Sequence, residues 1–420
     1  MQKRRQIIIG SGTAGLAALK QLRKAGCDDE VAVVTMEKHA PYSPMSLPYV
    51  VSGKVKATDI GMVPEGFFDA MAATLVREKQ VTGVLPKERK VLYKDGKSEH
   101  YDRLLIATGS DPIVPPVVAG AGGMGFHVMD DCLALMGELK GKKRITLVGA
   151  GLVAMELAAA LAERGREITV IAPRERILRS YFDEEASGRI ADLFAASGVK
   201  INLSWGEAVA AEKTGAEIRV SFSNGGTVET DILLACIGVK PRVSFLKGSG
   251  IKTRGGIVVD RGMRSNVPEI LAAGDAAEAV DFFTGRTGFN PILPNAVDQG
   301  KIAGSTMAGN EAAYPGSLAM NVFNFFGHLA TSIGRTVPAE GDDVLVERAN
   351  GRYGKLICSG ERLLGAAFLD ADIDAGVIHY LIKKGIELGK HRERLLASPR
   401  EVGLWLMSEA EKKDTLSMEE

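Results

Sequence analysis

Two glycine-rich turns constrain this chain more than any other feature. Residues 6 to 15 read QIIIGSGTAG, a short β-branched run entering Gly10, Gly12 and Gly15, and the following LAALKQLRKAG carries apolar residues at helical spacing. Strand, tight turn and helix in that order form the phosphate-gripping corner of a dinucleotide-binding unit. The first glycine permits the turn, the second lets the backbone approach a pyrophosphate, and the third lets helix and strand pack closely. Thr13 and Ala14 then open a helix whose N-terminus faces the negative charge. EVAVVTMEK reads as a second strand ending near Glu37, where a carboxylate would bind ribose hydroxyls; an ordinary solvent-facing charge is the other reading.

The pattern returns in RITLVGAGLVAMELAAALAERG, with Gly149 and Gly151 in the first two positions, Leu152 and Val153 opening the helix and Ala154 in the third, small enough to keep helix and strand close. Two such turns in one chain point to two dinucleotides, a flavin (FAD) and a nicotinamide (NAD). The strand after the second turn ends VIAPRERIL. Ala172 stands where an NAD-binding acid is common, Arg174 and Arg176 either meet a 2′-phosphate or stay solvated, and Glu175 is a substitute carboxylate. NAD is favoured and NADP stays open.

A chain of 420 residues implies two or three domains. Its 52 basic residues balance 52 acidic ones, which argues against a nucleic acid partner held by bulk charge. No stretch offers the length of uninterrupted apolar residues that a membrane span needs, and the basic N-terminus runs into a strand rather than a signal-peptide core, so a cytoplasmic protein is expected. Cys27, Cys132, Cys236 and Cys358 lie far apart, without metal or cluster spacing. No metal site is expected.

At this point the chain resembles the pyridine nucleotide-disulfide oxidoreductase superfamily of flavoproteins over roughly its whole length. YDRLLIATGSDPIVPP, with Ala107, Thr108 and Gly109, is similar to the segment leaving the FAD domain, and DILLACIGVKPRVSFL, with Gly238, to the one closing the NAD domain. VPEILAAGDAAEA resembles the second FAD motif, where Gly274 precedes Asp275, the residue expected at the ribityl chain. LPNAVDQGKIAGSTMAG, with Asn295 and Ala296, resembles the helix aimed at the flavin carbonyls. The resemblance implies an α/β fold with two Rossmann-like domains: a split FAD domain over 1–113 and 253–317 and an inserted NAD(P) domain over 114–252. An α+β interface domain over 318–420 would complete it, with homo-dimerisation or hetero-oligomerisation expected. Glu156 falls where relatives place a glutamate near the nicotinamide; a helix-surface charge is the alternative.

Many relatives carry a redox cysteine in a segment like CGLPY. Here PYSPMSLPYVVSG puts Met45 at that place, after Pro44 in the turn expected over the flavin. A thioether cannot become an attacking thiolate or cycle through a sulfenic acid, so disulfide chemistry is disfavoured, and Met45 is expected to fill space beside the ring. The turn is more similar to that of flavoproteins serving iron–sulfur proteins, including flavin subunits of complexes that oxidise 2-oxoacids to acyl-CoA. Hydride transfer needs no proton relay, so no general acid or base is expected. An electron-transfer subunit joining NAD(H) to iron–sulfur partner subunits is the leading expectation. A free-standing NAD(P)H oxidase or quinone/ferredoxin reductase is the second, and a nicotinamide-sensing or assembly flavoprotein the third.

Overall fold

The computed structural model describes residues 3–349 and 351–418. The chain divides into two compact units, one of Met1–Pro112, His127–Met129 and Val239–Ser317, the other of Ile113–Phe126, Asp130–Gly238 and Leu318–Glu420.

In the first unit the isoleucine run becomes the strand Arg5–Ile9 at the centre of a five-stranded parallel sheet. Its neighbours are Glu30–Val34 and Arg103–Ile106, with Ala73–Val76 and Ile270–Ala272 at the edges. Ile7 and Ile8 are fully buried, as are Val33 and Leu105 in the flanking strands, the continuous apolar pattern of a sheet covered on both faces. Helix Thr13–Lys24 buries Ala14, Gly15, Leu16, Ala18, Leu19 and Leu22. It lies against helix Leu293–Ala308, and the crossing is close because Gly300 and Gly304 lie on the backbone of Ala14 and Ala18. A Cβ at either glycine would strike those carbonyls. The strand Val239–Pro241 pairs antiparallel with Ser110–Pro112, joining two distant segments of the unit.

The second unit repeats the plan. Strand Arg144–Val148 runs parallel to Glu167–Ile171 and Ile232–Ala235, with Lys200–Asn202 and Met124–Gly125 outside them. Helix Leu152–Ala162 buries Ala154, Met155, Leu157 and the run Ala158–Leu161, an almost wholly apolar helix. Helix Glu184–Ala196 is N-capped by Asp183, whose carboxylate accepts the Ala186 N–H at 3.0 Å.

The C-terminal part of this unit contains a five-stranded antiparallel sheet in the order Met320–Phe325, His328–Gly334, Arg362–Leu369, Arg352–Ser359, Asp343–Ala349. The segment GKLICSGERLLGAAFL lies in the paired strands Arg352–Ser359 and Arg362–Leu369. Helix Ala375–Lys384 buries Val377, Ile378, Leu381 and Ile382 at helical spacing and is capped by Asp374 and ended by Gly385. The NVFNFF aromatics are core: Phe323 and Phe325 stack on Phe194 at 6.1 and 5.1 Å between centroids. Asp183 gathers Tyr353 and Lys355, whose Nζ lies 2.9 Å away, so one half-buried carboxylate both caps a helix and ties it to the sheet. Among the described residues no helix is long and apolar enough to cross a membrane.

Candidate functional site

The first glycine turn is built as its spacing demands. Gly10 has φ +114°, donates its N–H to the Val34 carbonyl at 2.8 Å, and lies so close to Ala107 that a Cβ would run into that residue's carbonyl. A Cβ at Gly15 would strike the Gly10 carbonyl. Gly12 is extended (φ −77°, ψ −172°) and no side chain caps the helix beginning at Thr13 and Ala14, which leaves its first amides for an anion. Three residues beyond the neighbouring strand, Glu37 has a buried carboxylate oxygen, Oε2, with no hydrogen-bond partner.

Two other segments reach the same place. Gly274 and Asp275 form the tight turn Gly274–Ala276; a Cβ on Gly274 would lie 3.0 Å from that of Ala14 and 3.6 Å from that of Ala296. The Gly274 N–H donates to Gln299 at 2.8 Å, fixing this turn to helix Leu293–Ala308, whose first turn holds buried Asn295 and Ala296 and has no side-chain cap. Asp275 accepts a hydrogen bond from Ser110 Oγ at 2.8 Å, and that oxygen stands 3.2 Å from His127 Nε2. Burial pushes the Asp275 carboxyl up, while the Ser110 bond and the His127 charge pull it down. Thr108 and Gly109 are held through Arg242: Thr108 Oγ1 donates to its carbonyl at 2.8 Å and the Gly109 carbonyl accepts its N–H at 2.9 Å.

A glycine cradle, two uncapped helix ends and an orphaned carboxylate oxygen fit a pyrophosphate flanked by ribose hydroxyls, so these residues fit FAD. Ser110 and His127 escaped the sequence reading. Ser110 adjoins the ATG motif, but its contact with Asp275 spans 165 residues, and nothing in the sequence marks His127.

The turn PYSPMSLPY is anchored by its tyrosine: the Tyr42 hydroxyl accepts the Met129 N–H at 2.8 Å. Pro44–Ser46 is a single helical turn leading into helix Leu47–Ser52, and Met45 is 58% exposed. Burial raises the pKa of all four free cysteines, to about 11 for Cys132 and about 12 for Cys236. Thiolate chemistry at neutral pH is thereby suppressed at each.

The second seat repeats the first within the other unit. Gly149 has φ +113°, donates to the Ile171 carbonyl at 2.9 Å, and abuts the Cys236 carbonyl that a Cβ would strike. Gly151 is extended before the helix opened by Leu152 and by Val153, which is 41% exposed. Gly238, at φ +118°, follows the next strand and its carbonyl accepts the Ile113 N–H at 2.9 Å. Arg174 is exposed, and its carbonyl is held by the Ser204 N–H at 2.8 Å.

Glu156 lies one turn into the helix, and burial pushes its carboxyl up to about 7 from its ordinary 4.5. Tyr181 is raised by its own burial and then by the Glu156 charge. Between about pH 4.5 and 7 the native chain holds a proton at Glu156 that the unfolded chain has released, so stability falls as pH rises through that window. Glu156→Gln cannot ionise at this position, so the wild-type Tm is expected to decline relative to the variant's from about pH 4.5 to 7 and to run parallel to it above that; parallel Tm curves across the whole window would contradict the burial.

The chain matches the family described as "Pyridine nucleotide-disulphide oxidoreductase" over residues 4–300. It is 36% identical over 412 residues to the NADH-dependent phenylglyoxylate dehydrogenase subunit epsilon of Aromatoleum evansii, covering 96% of this chain and 97% of that one. It is 32% identical over 323 residues to an NADH oxidase of Methanocaldococcus jannaschii, covering 74% and 71% respectively. Its fold matches that in the crystal structure of the covalent putidaredoxin reductase-putidaredoxin complex with a TM-score of 0.83 at 21% identity, covering 92% of this chain and 94% of that one.

Proposed function

We propose, for a chain that belongs to the pyridine nucleotide-disulphide oxidoreductase family and is an FAD-dependent NAD(P)H oxidoreductase, that it is an electron-transfer subunit linking NAD(H) to iron–sulfur clusters on partner subunits. The observation that carries this reading is Met45: the segment that would hold a redox thiol holds an exposed thioether, and the four cysteines elsewhere are kept protonated by burial. Electrons taken from the nicotinamide then have no thiol to rest on and leave for another protein.

FAD held there would supply the hydride exchange with the nicotinamide and the release of electrons singly or in pairs. The chain's own residues supply binding and orientation. The amides from Gly12 to Gly15 would hold the pyrophosphate, Glu37 Oε2 the ribose and Asp275 the ribityl chain, while the N-terminus of helix Leu293–Ala308, with Asn295 and Ala296 in its first turn, would offer its positive end to the flavin ring. Gly149, Gly151, Leu152 and Val153 would hold the nicotinamide dinucleotide, with Glu156 orienting the carboxamide. No general acid or base is required.

The likeness to the phenylglyoxylate dehydrogenase subunit over almost the full length of both chains supports a narrower form: delivery to NAD of electrons from the oxidation of a 2-oxoacid such as phenylglyoxylate to an acyl-CoA. The likeness to an NADH oxidase supports a second reading, a free-standing oxidase. Anaerobic reduction by NADH, followed by mixing with a ferredoxin-type iron–sulfur protein or with air, separates them. Fast electron transfer to the iron–sulfur acceptor and slow reaction with air are expected; fast reaction with air alone would sink the subunit reading.

A further inference from the structure

We propose that His127, acting through Ser110, is a positioning residue for FAD: the two side chains fix the Asp275 carboxylate so that one of its oxygens is presented to a hydroxyl of the ribityl chain. The proposal rests on the reading of Asp275 at that chain. The first unit is spliced here from distant segments. The chain leaves it after Pro112, rejoins it for His127–Met129, and enters it again at Val239. Both ends of this short strap are bonded to segments of the FAD seat: His127 Nε2 lies 3.2 Å from Ser110 Oγ, and the Met129 N–H donates to the Tyr42 hydroxyl at 2.8 Å.

The hydroxyl in the middle sets the direction of the relay. Ser110 Oγ carries a single proton and gives it to Asp275 Oδ2 at 2.8 Å, so toward His127 it offers only lone pairs and the imidazole Nε2–H is the donor. The bonds therefore run one way, from His127 to Ser110 to Asp275, and each polarises the next. Oδ2 is occupied by this relay, while no hydrogen bond from the described residues is made to Oδ1. A ribityl hydroxyl is a donor of the kind that oxygen lacks.

The surroundings make Ser110 a rigid mount. It is buried, its backbone pairs with Pro241 across the two short strands, and its carbonyl accepts Arg242 Nη2 at 3.2 Å. The backbone of the turn Gly274–Ala276 is fixed separately, by the Gly274 N–H on Gln299 Oε1 at 2.8 Å. Gln299 thus places the turn but leaves the carboxylate able to rotate about its own bond; Ser110 and His127 remove that freedom. A carboxylate already oriented binds a hydroxyl without the ordering cost of a mobile one.

The FAD dissociation constant of the full chain, read from flavin fluorescence on dilution, tests this without turnover. His127→Leu and Ser110→Ala are each expected to weaken FAD binding about tenfold. His127→Gln, which keeps an N–H donor near the Nε2 position, should recover most of the loss. A merely structural role would neither be rescued in this way nor depend on Asp275. In an Asp275→Ala background, His127→Leu and Ser110→Ala should therefore cost no further affinity; if His127→Leu fails to fold, the cycle with Ser110→Ala decides. Wild-type affinity in the single variants, an equal loss with Gln and Leu, or full additivity with Asp275→Ala would overturn the proposal while Asp275 itself still mattered. Wild-type affinity in Asp275→Ala would overturn the ribityl reading as well.

Discussion

Gly10→Ala is expected to purify with little or no FAD. The residue stands at φ +114°, a conformation that L side chains rarely adopt, and the added methyl would be driven into the Ala107 carbonyl. Backbone strain of this kind costs about 1–3 kcal/mol before any displacement is counted. The displacement falls on the seat itself, because Gly10 also bonds Val34 and its carbonyl abuts Gly15. A loss of FAD affinity of more than about tenfold should follow, read as the ratio of flavin to protein absorbance after gel filtration. Full flavin occupancy in the variant would remove the first glycine turn from the FAD assignment.

Gly149→Ala should give the opposite phenotype. Its φ of +113° and its contact with the Cys236 carbonyl make the local insult equivalent, but the residue belongs to the unit formed by Ile113–Phe126, Asp130–Gly238 and Leu318–Glu420. FAD should therefore be retained, while flavin bleaching by NADH weakens more than about tenfold in apparent affinity. Stopped-flow bleaching at rising NADH concentration measures this. Loss of FAD from this variant as well would mean that the two turns do not serve separate dinucleotides.

The glycine turns were legible because their chemistry is local. Each needs a β-branched strand, a φ only glycine adopts freely and a helix start, all within about fifteen residues, and both formed where the spacing placed them. Glu37 was found by counting along the strand, which works when the register is fixed by the turn. Asp275 was legible as a motif, but its partners were not: Ser110 and His127 arrive from other segments, and the paired strands Ser110–Pro112 and Val239–Pro241, with Arg242 bonded to Thr108 and Asp111, help bring that part of the chain together. The polar cluster of Asp183, Tyr353 and Lys355 was hidden for the same reason, its members lying about 170 residues apart.

The same reasoning explains the weight placed on Met45. A substitution at one position says little until every other thiol is accounted for, and burial disfavours ionisation at all four. Anaerobic titration of the purified chain with NADH tests this most directly, because it counts the electrons the protein can store. The account predicts that one equivalent of NADH per FAD completes the bleaching and that further NADH is not consumed. Uptake of a second equivalent would reveal an internal redox centre beside the flavin and contradict the assignment of this chain as an exporter of electrons.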